Sequence, residues 1–432
     1  MTDSSADTIH WYRTAGAAPD VTQLETDITC DFIVVGGGLT GTRTALGLAE
    51  GGAKVVLLDA RDIGWGASGR SGGQCNPMWR ATPDQIAQRV GDACAARLVE
   101  TTIGSADALF ADIKKYDVDC DAVQNGWVQA AHSTKAQCSL ESLAAAWNTA
   151  GTSITMQDRA ATAQRSGSNA YGFSLFHPNG GHVHPLSLTR GYARAAQKHG
   201  ATLFADSPVI GMTRTGTNWT VSTPKGTVTA PQVILTTNAY TDDLWQGLKQ
   251  TFYPMTSVSL ATAPLSDAQR ETVLPNSVTI SDSRRAIFYS RYDRDGRLVF
   301  GCVGSGDDPD LLGGVARLKT GLRTVFPQLA DIGIEATWAG RIAVTPEMMP
   351  HLHEPAPGVL SGVGFSGRGI AMTSVMGRSL VKKALGADDS TLPFPVTPIK
   401  PARMHWIANK MLPLAAPAMT LRDKLDKIID PL

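Results

Sequence analysis

The sequence predicts an α/β chain in which a discontinuous, Rossmann-like dinucleotide-binding domain carries an inserted antiparallel sheet. Three observations predict it. A strand–glycine-turn–helix–strand unit occupies residues 31–59, a second glycine-rich run follows at 64–74, and stretches rich in β-branched residues, aromatics and turn signals separate the later glycine signatures.

Residues 31–35 and 54–59 are short apolar runs, and between them Ala45, Leu46, Leu48 and Ala49 are spaced to share one helical face. Gly51 and Gly52 stop that helix. Its first turn holds Gly36, Gly38 and Gly41 at G-x-G-x-x-G spacing. One glycine serves the tight turn, one admits a diphosphate, and one lets the helix close on the strand. Free amides at the helix start then meet the negative charge. Asp59 ends the second strand, eighteen residues past Gly41. A carboxylate there accepts from a ribose hydroxyl and repels a 2′-phosphate, which argues against NADP.

The second run, from Gly64 to Gln74, contains five glycines, two serines and Arg70. It stands directly after the ribose-binding acid, where small residues let the backbone approach the ligand again. A long flat cofactor such as FAD fits two approaches better than NAD does. Composition alone reads the run as a flexible loop.

From Cys30 to Gln74 the chain resembles the D-amino-acid-oxidase-like (DAO) FAD oxidoreductases, and within them the gamma-glutamylputrescine oxidase branch with its Gly-Ala-Ser-Gly-Arg-x-Gly-Gly-Gln segment. The likeness continues at residues 180–185 and on through a helix to a strand ending at Val209. It resumes at 233–240 with an Asn-Ala-Tyr turn, at 338–346, and at 364–369. The resemblance implies a DAO/glutathione-reductase-like fold with FAD contacts at Gly36, Gly37, Gly38, Leu39, Thr40, Gly41, Asp59, Ala60, Gly66, Ala67, Ser68, Gly69, Arg70, Gly73 and Gln74. The later contacts it implies are Val209, Gly340, Gly364, Ser366, Gly367, Arg368, Gly369 and Ile370.

Domains follow from these signatures. Residues 1–26 form an arm that docks through Trp11 and Tyr12. Segments 27–105, 181–240 and 335–388 build the FAD-binding domain, 106–180 and 241–334 the inserted sheet, and 389–432 a helical tail with an amphipathic stretch at 404–429. Residues 278–290 and 297–301, joined at 293–296, read as a hairpin of the inserted sheet.

Lys plus Arg and Asp plus Glu both number 39, so nothing draws nucleic acid or an anionic surface to the chain as a whole. No apolar stretch approaches the ~18–20 residues of a membrane span, and no signal segment is evident. Six scattered cysteines, with no C-x-x-C pair, fit a reducing cytoplasm. No His/Asp/Glu pattern has metal-ligand spacing.

Gly364, Gly367 and Gly369 precede an apolar helix at 370–385, repeating the device of free amides at a helix start. The resemblance places these amides at the pyrimidine end of the flavin, where Arg368 supplies positive charge. Ala343 stands near the position of the flavin-bonding cysteine of sarcosine oxidases, so FAD is expected to be non-covalent, with Cys302 a buried hydrophobe. Ala371 falls near their carboxylate-binding lysine, which disfavours a simple N-methyl amino acid as substrate.

Catalytic candidates are Arg70, Gln74, Tyr289 and Arg368, with Trp79, Trp127 and Trp338 as further pocket candidates; His182 and His184 read as structural. The expected reaction oxidises an amine or amino acid to an imine, which water hydrolyses, with electrons passing to oxygen or another acceptor. A gamma-glutamylputrescine-like or other ω-amino substrate leads. A secondary amino acid such as pipecolate or proline follows, then a flavoprotein subunit that feeds electrons to a partner.

Overall fold

The computed structural model describes residues 8–430. Seven strands form the sheet under the first glycine turn, in the order Val396–Thr397, His351–Ala356, Val359–Val363, Gln232–Leu235, Phe32–Val35, Val55–Leu58 and Thr202–Phe204. The strands from Val359–Val363 to Thr202–Phe204 run parallel, and His351–Ala356 turns back against its neighbour.

Side-chain alternation decides what covers each face. Phe32, Val34, Val55 and Leu57 share a core with the helices Leu39–Glu50, Pro185–Lys198 and Gly369–Ala384. Ile33, Val35, Val56 and Leu58 meet Trp219, Val221 and Val228 of a four-stranded sheet on the opposite side. The parallel strands are thus buried on both faces, which is why they read as uninterrupted apolar runs.

The second large sheet has eight strands, in the order Ile334–Val344, Tyr253–Pro264, Arg297–Gly304, Tyr289–Tyr292, Thr279–Asp282, Trp127–Ala131, Phe173–His177 and Thr155–Gln157. It is antiparallel except where Thr279–Asp282 runs parallel to Trp127–Ala131.

Several expectations need correction. Residues 335–344, expected in the FAD-binding domain, form the edge of the eight-stranded sheet, held by a long antiparallel ladder to Tyr253–Pro264. Residues 106–180 are only partly sheet, because helix Ser105–Lys115 buries Ala106 and Leu109 in the core under the seven-stranded sheet. The strand expected to end at Val209 ends at Phe204; Val209 lies in the connection to the four-stranded sheet.

Residues 278–290 do not form one strand. Asp282 accepts from the amides of Arg284 and Phe288, pinning a loop between Thr279–Asp282 and Tyr289–Tyr292. The hairpin across 293–296 is present, with Asp293 accepting from the amide of Arg297 and Gly296 at φ +77. The expected helical tail is helical mainly from His405 to Ile429, one helix that contains Pro413 and Pro417, whereas Val396–Thr397 before it joins the edge of the seven-stranded sheet.

The N-terminal arm docks as a short helix, His10–Thr14, with Trp11 fully buried. Its indole donates to Ser71 O at 2.8 Å, and His10 pairs with Asp293 at 2.9 Å. The arm thereby ties the 64–74 loop to the eight-stranded sheet.

Candidate active site

Gly36 leaves its strand at φ +107, a conformation that L side chains avoid. A Cβ on Gly41 would lie 1.8 Å from Gly36 O, so only glycine lets helix Leu39–Glu50 begin this close to the strand. Thr236 braces the same turn, its hydroxyl donating to Gly36 O at 2.9 Å. The amide of Gly37 donates to Asp59 Oδ2 at 2.6 Å, and that of Arg61 to Asp59 Oδ1 at 2.8 Å. Burial nevertheless pushes the Asp59 carboxyl up to about 6, so this acid wants further donors of the kind a ribose offers. Ala60 is exposed beside it.

Ser68 joins the second glycine run to the first: its Oγ accepts from the amide of Leu39 at 2.9 Å. Some glycines of this run answer to protein, not ligand. A Cβ on Gly69 would meet Gly64 O at 2.4 Å, and one on Gly73 would meet Val183 O at 2.3 Å. Arg70 is buried, with its guanidinium 4.1 Å from the Trp65 ring centroid and its carbonyl accepting from the Trp338 indole at 2.9 Å. Gly340 is small because Arg70 Cβ would lie 2.7 Å from any Cβ there.

The Gln74 side-chain amide is engaged with protein. Its Nε2 donates to Ile280 O at 2.8 Å and Ser290 O at 2.9 Å, stitching the 64–74 loop to two strands of the large sheet. Tyr289 is similarly engaged, its hydroxyl lying 2.8 Å from Ser257 Oγ and 2.9 Å from Ser259 Oγ. The side chain is only half-buried, and the protein around it raises the phenol.

Gly364 N donates to Asn238 Oδ1 at 2.9 Å, and Ser366 Oγ accepts from the amide of Thr345 at 3.2 Å. Arg368 follows, capping helix Gly369–Ala384. Its guanidinium lies 4.8 Å from the Trp127 ring centroid. It is buried, its Nε has no hydrogen-bond partner among the described residues, and burial lowers it to about 9, with Arg80 adding repulsion.

Arg80 has exposed surface, yet the protein around it lowers its guanidinium. Burial lowers Arg80 too, and the acid acting on it, Asp282, already pairs with Arg284. Open surface hollows beside Arg270 and beside Leu412 contain none of these groups.

The remaining candidates divide. Trp127 carries Arg368 and donates to Ser281 Oγ at 2.9 Å, whereas Trp79 is core and donates to Thr102 Oγ1 at 2.9 Å. His184 caps helix Pro185–Lys198 by accepting from the amide of Ser187, a structural role. His182 pairs with Gln74 in a two-residue ladder and is buried neutral. Ala343 and Ala371 are buried, and Cys302 is a buried thiol pushed up to about 11. The sequence reading missed Arg80, Thr236 and the Ser257/Ser259 pair. Arg80 alone left a trace, a cation six residues past Gln74 in an apolar stretch.

A glycine turn that excludes a Cβ at Gly41, free amides at the helix start behind it and an acid at the end of the next strand together fit a dinucleotide. The family model for FAD-dependent oxidoreductases (DAO) matches residues 31–383. The chain belongs to that family. FAD is its cofactor.

The probable oxidoreductase OrdL of Haemophilus influenzae is 33% identical over 376 residues, 86% of each chain. The gamma-glutamylputrescine oxidoreductase of Escherichia coli is 33% identical over 368 residues, covering 84% of this chain and 85% of its own. Among solved folds, glycine oxidase from Geobacillus kaustophilus superposes with a TM-score of 0.73 at 19% identity, covering 86% of this chain and 99% of its own. L-proline dehydrogenase from P. horikoshii gives 0.72 at 19% identity, covering 86% and 100%. These two share the fold of this chain.

Proposed function

We propose that this flavoenzyme oxidises the C–N bond of an amine that also carries a carboxylate, with gamma-glutamylputrescine-like ω-amino compounds as the leading class. The observation that carries the reading is the Arg368–Arg80 pair. Arg80 repels Arg368, the buried Arg368 guanidinium forms no ion pair among the described residues, and burying such a charge is expensive unless a ligand neutralises it. A carboxylate fits the planar donor fork of arginine. The relative named for gamma-glutamylputrescine matches over most of the chain, and that substrate has both a carboxylate and a distant amine.

When bound, FAD supplies the acceptor for a hydride from the carbon that bears nitrogen. The protein's part is placement. Arg368 and Arg80 hold the carboxylate, Trp127 fixes the plane of the Arg368 guanidinium, and Tyr289 forms a rigid wall held by Ser257 and Ser259. The amine nitrogen gives its proton to water, so no dedicated base is needed, and the released imine hydrolyses in solution. Gly36 to Gly41, Asp59, Ser68 and the 364–370 turn hold the cofactor without a covalent bond, since Ala343 offers no thiol.

A secondary amino acid such as proline or pipecolate is the second reading, because a carboxylate-binding arginine serves it equally. Anaerobic mixing of the purified holoenzyme with gamma-glutamylputrescine, putrescine, proline and pipecolate separates them by bleaching of the visible flavin band. Bleaching by gamma-glutamylputrescine at concentrations at least about tenfold below those needed with putrescine is expected. Equal response to putrescine removes the carboxylate requirement, and preference for proline or pipecolate selects the second reading. Peroxide release in air then separates an oxidase from a subunit that feeds electrons to a partner.

A further inference from the structure

Seven of the twelve large apolar side chains that stand exposed among the described residues lie between Met404 and Ile429, on or at the start of the C-terminal helix. Met411, Leu414, Ala418, Leu421 and Leu425 are spaced by three, four, three and four residues, and all five are exposed. At 3.6 residues per turn they fall within roughly 80° of one another around the helix. The opposite side of the helix faces the protein.

That inward side is firmly fixed. Ala416 is fully buried. Asp423 accepts from the amides of Arg285 and Ala286, each at 3.0 Å, and Asp426 pairs with the Arg285 guanidinium. Asp430 accepts from the amide of Lys135 at 2.6 Å, and Tyr253 donates to Arg403 O at 2.7 Å. His132 lies close to Asp423 and Asp426, but with both Asp423 oxygens taken by amides and Asp426 on Arg285 the cluster is a docking latch.

The charges sort with the two faces. From residue 400 to residue 430 every acid is one of these three engaged aspartates. Lys400, Arg403, Lys410, Arg422 and Lys424 are all exposed. An apolar stripe, bordered only by cations and facing away from the body, has the composition of a helix lying in a lipid–water interface.

We infer that helix His405–Ile429 docks this flavoenzyme peripherally on an anionic phospholipid bilayer, with Met411, Leu414, Leu421 and Leu425 entering the interface and Lys410, Arg422 and Lys424 meeting lipid phosphates. A second copy of the chain is a poorer occupant, because apposing two such stripes sets cation against cation. The attachment lies on the surface, since no described helix is long and apolar enough to cross a membrane. Nothing in it depends on which amine is oxidised.

The test is co-sedimentation of the full-length holoprotein with vesicles of phosphatidylcholine alone or with phosphatidylglycerol added. Pelleting with the anionic vesicles is expected at low salt, with about tenfold less on phosphatidylcholine alone and release as salt rises and the Debye length shrinks. The double substitution Leu421→Glu/Leu425→Glu, on exposed positions, is expected to lower binding at least about tenfold with the flavin spectrum retained. Lys410→Glu/Arg422→Glu is expected to abolish the preference for the anionic lipid. Failure of the unaltered protein to pellet with anionic vesicles overturns the inference, as does equal binding to both lipids. A concentration-dependent dimer in sedimentation velocity that Leu421→Glu/Leu425→Glu dissolves, without vesicle binding, overturns it in favour of self-association.

Discussion

Replacing Arg368 with methionine separates a ligand-binding charge from a structural one, because the two roles predict opposite changes in stability. The fall of this guanidinium to about 9 corresponds to about 5 kcal/mol against the charged form in the folded protein, an order-of-magnitude figure. At pH 7 the side chain is protonated folded and unfolded alike, so the full penalty bears on the folded state. It is relieved only as pH rises through 9. Methionine removes that penalty at similar volume and forfeits the cation–π contact with Trp127, about 1–2 kcal/mol. The Arg368→Met apoprotein, free of substrate and FAD, is therefore expected to be more stable, by about 3 kcal/mol, read as a later denaturant midpoint. Losing charged hydrogen bonds worth about 1.5–3 kcal/mol each is expected to lower kcat/KM on a carboxylate-bearing amine about 100-fold, chiefly through KM. A variant that is less stable and keeps its turnover refutes the reasoning. A fall in kcat at constant KM assigns the charge to the reduced flavin instead.

Three further outcomes test the cofactor site. Gly41→Ala, whose Cβ would sit 1.8 Å from Gly36 O, is expected to purify without the yellow flavin absorbance, whereas retained stoichiometric FAD would contradict the turn's role. Asp59, pushed up to about 6 by burial, destabilises the FAD-free fold as pH rises through 6 and accepts more strongly from the ribose when ionised; FAD affinity of the apoprotein, followed by flavin fluorescence quenching, is expected to weaken below pH 6 and to lose that dependence in Asp59→Asn. Tyr289→Phe leaves the hydroxyls of Ser257 and Ser259 without their shared partner and is expected to cost about 1–2 kcal/mol in unfolding at unchanged flavin content, so lost flavin would assign Tyr289 to the cofactor.

The sequence by itself determined what is local. G-x-G-x-x-G spacing, an acid at the end of the next strand and two short apolar runs specify the first β-α-β unit, because tight turns and strands depend on neighbours a few residues away. The hairpin at 293–296 and the capping turn before helix Gly369–Ala384 were legible for the same reason. Tertiary structure decided every question of partnership. Residues 334–344 follow a flavin-family signature yet pair with 253–264, since a strand joins whichever ladder satisfies its backbone. Gln74 looks like a ligand contact in sequence but donates to Ile280 and Ser290, more than 200 residues away. Arg80 was silent until folding brought its charge to bear on Arg368, across nearly three hundred residues. Desolvation and charge proximity are properties of a packed interior, and no spacing in the chain encodes them.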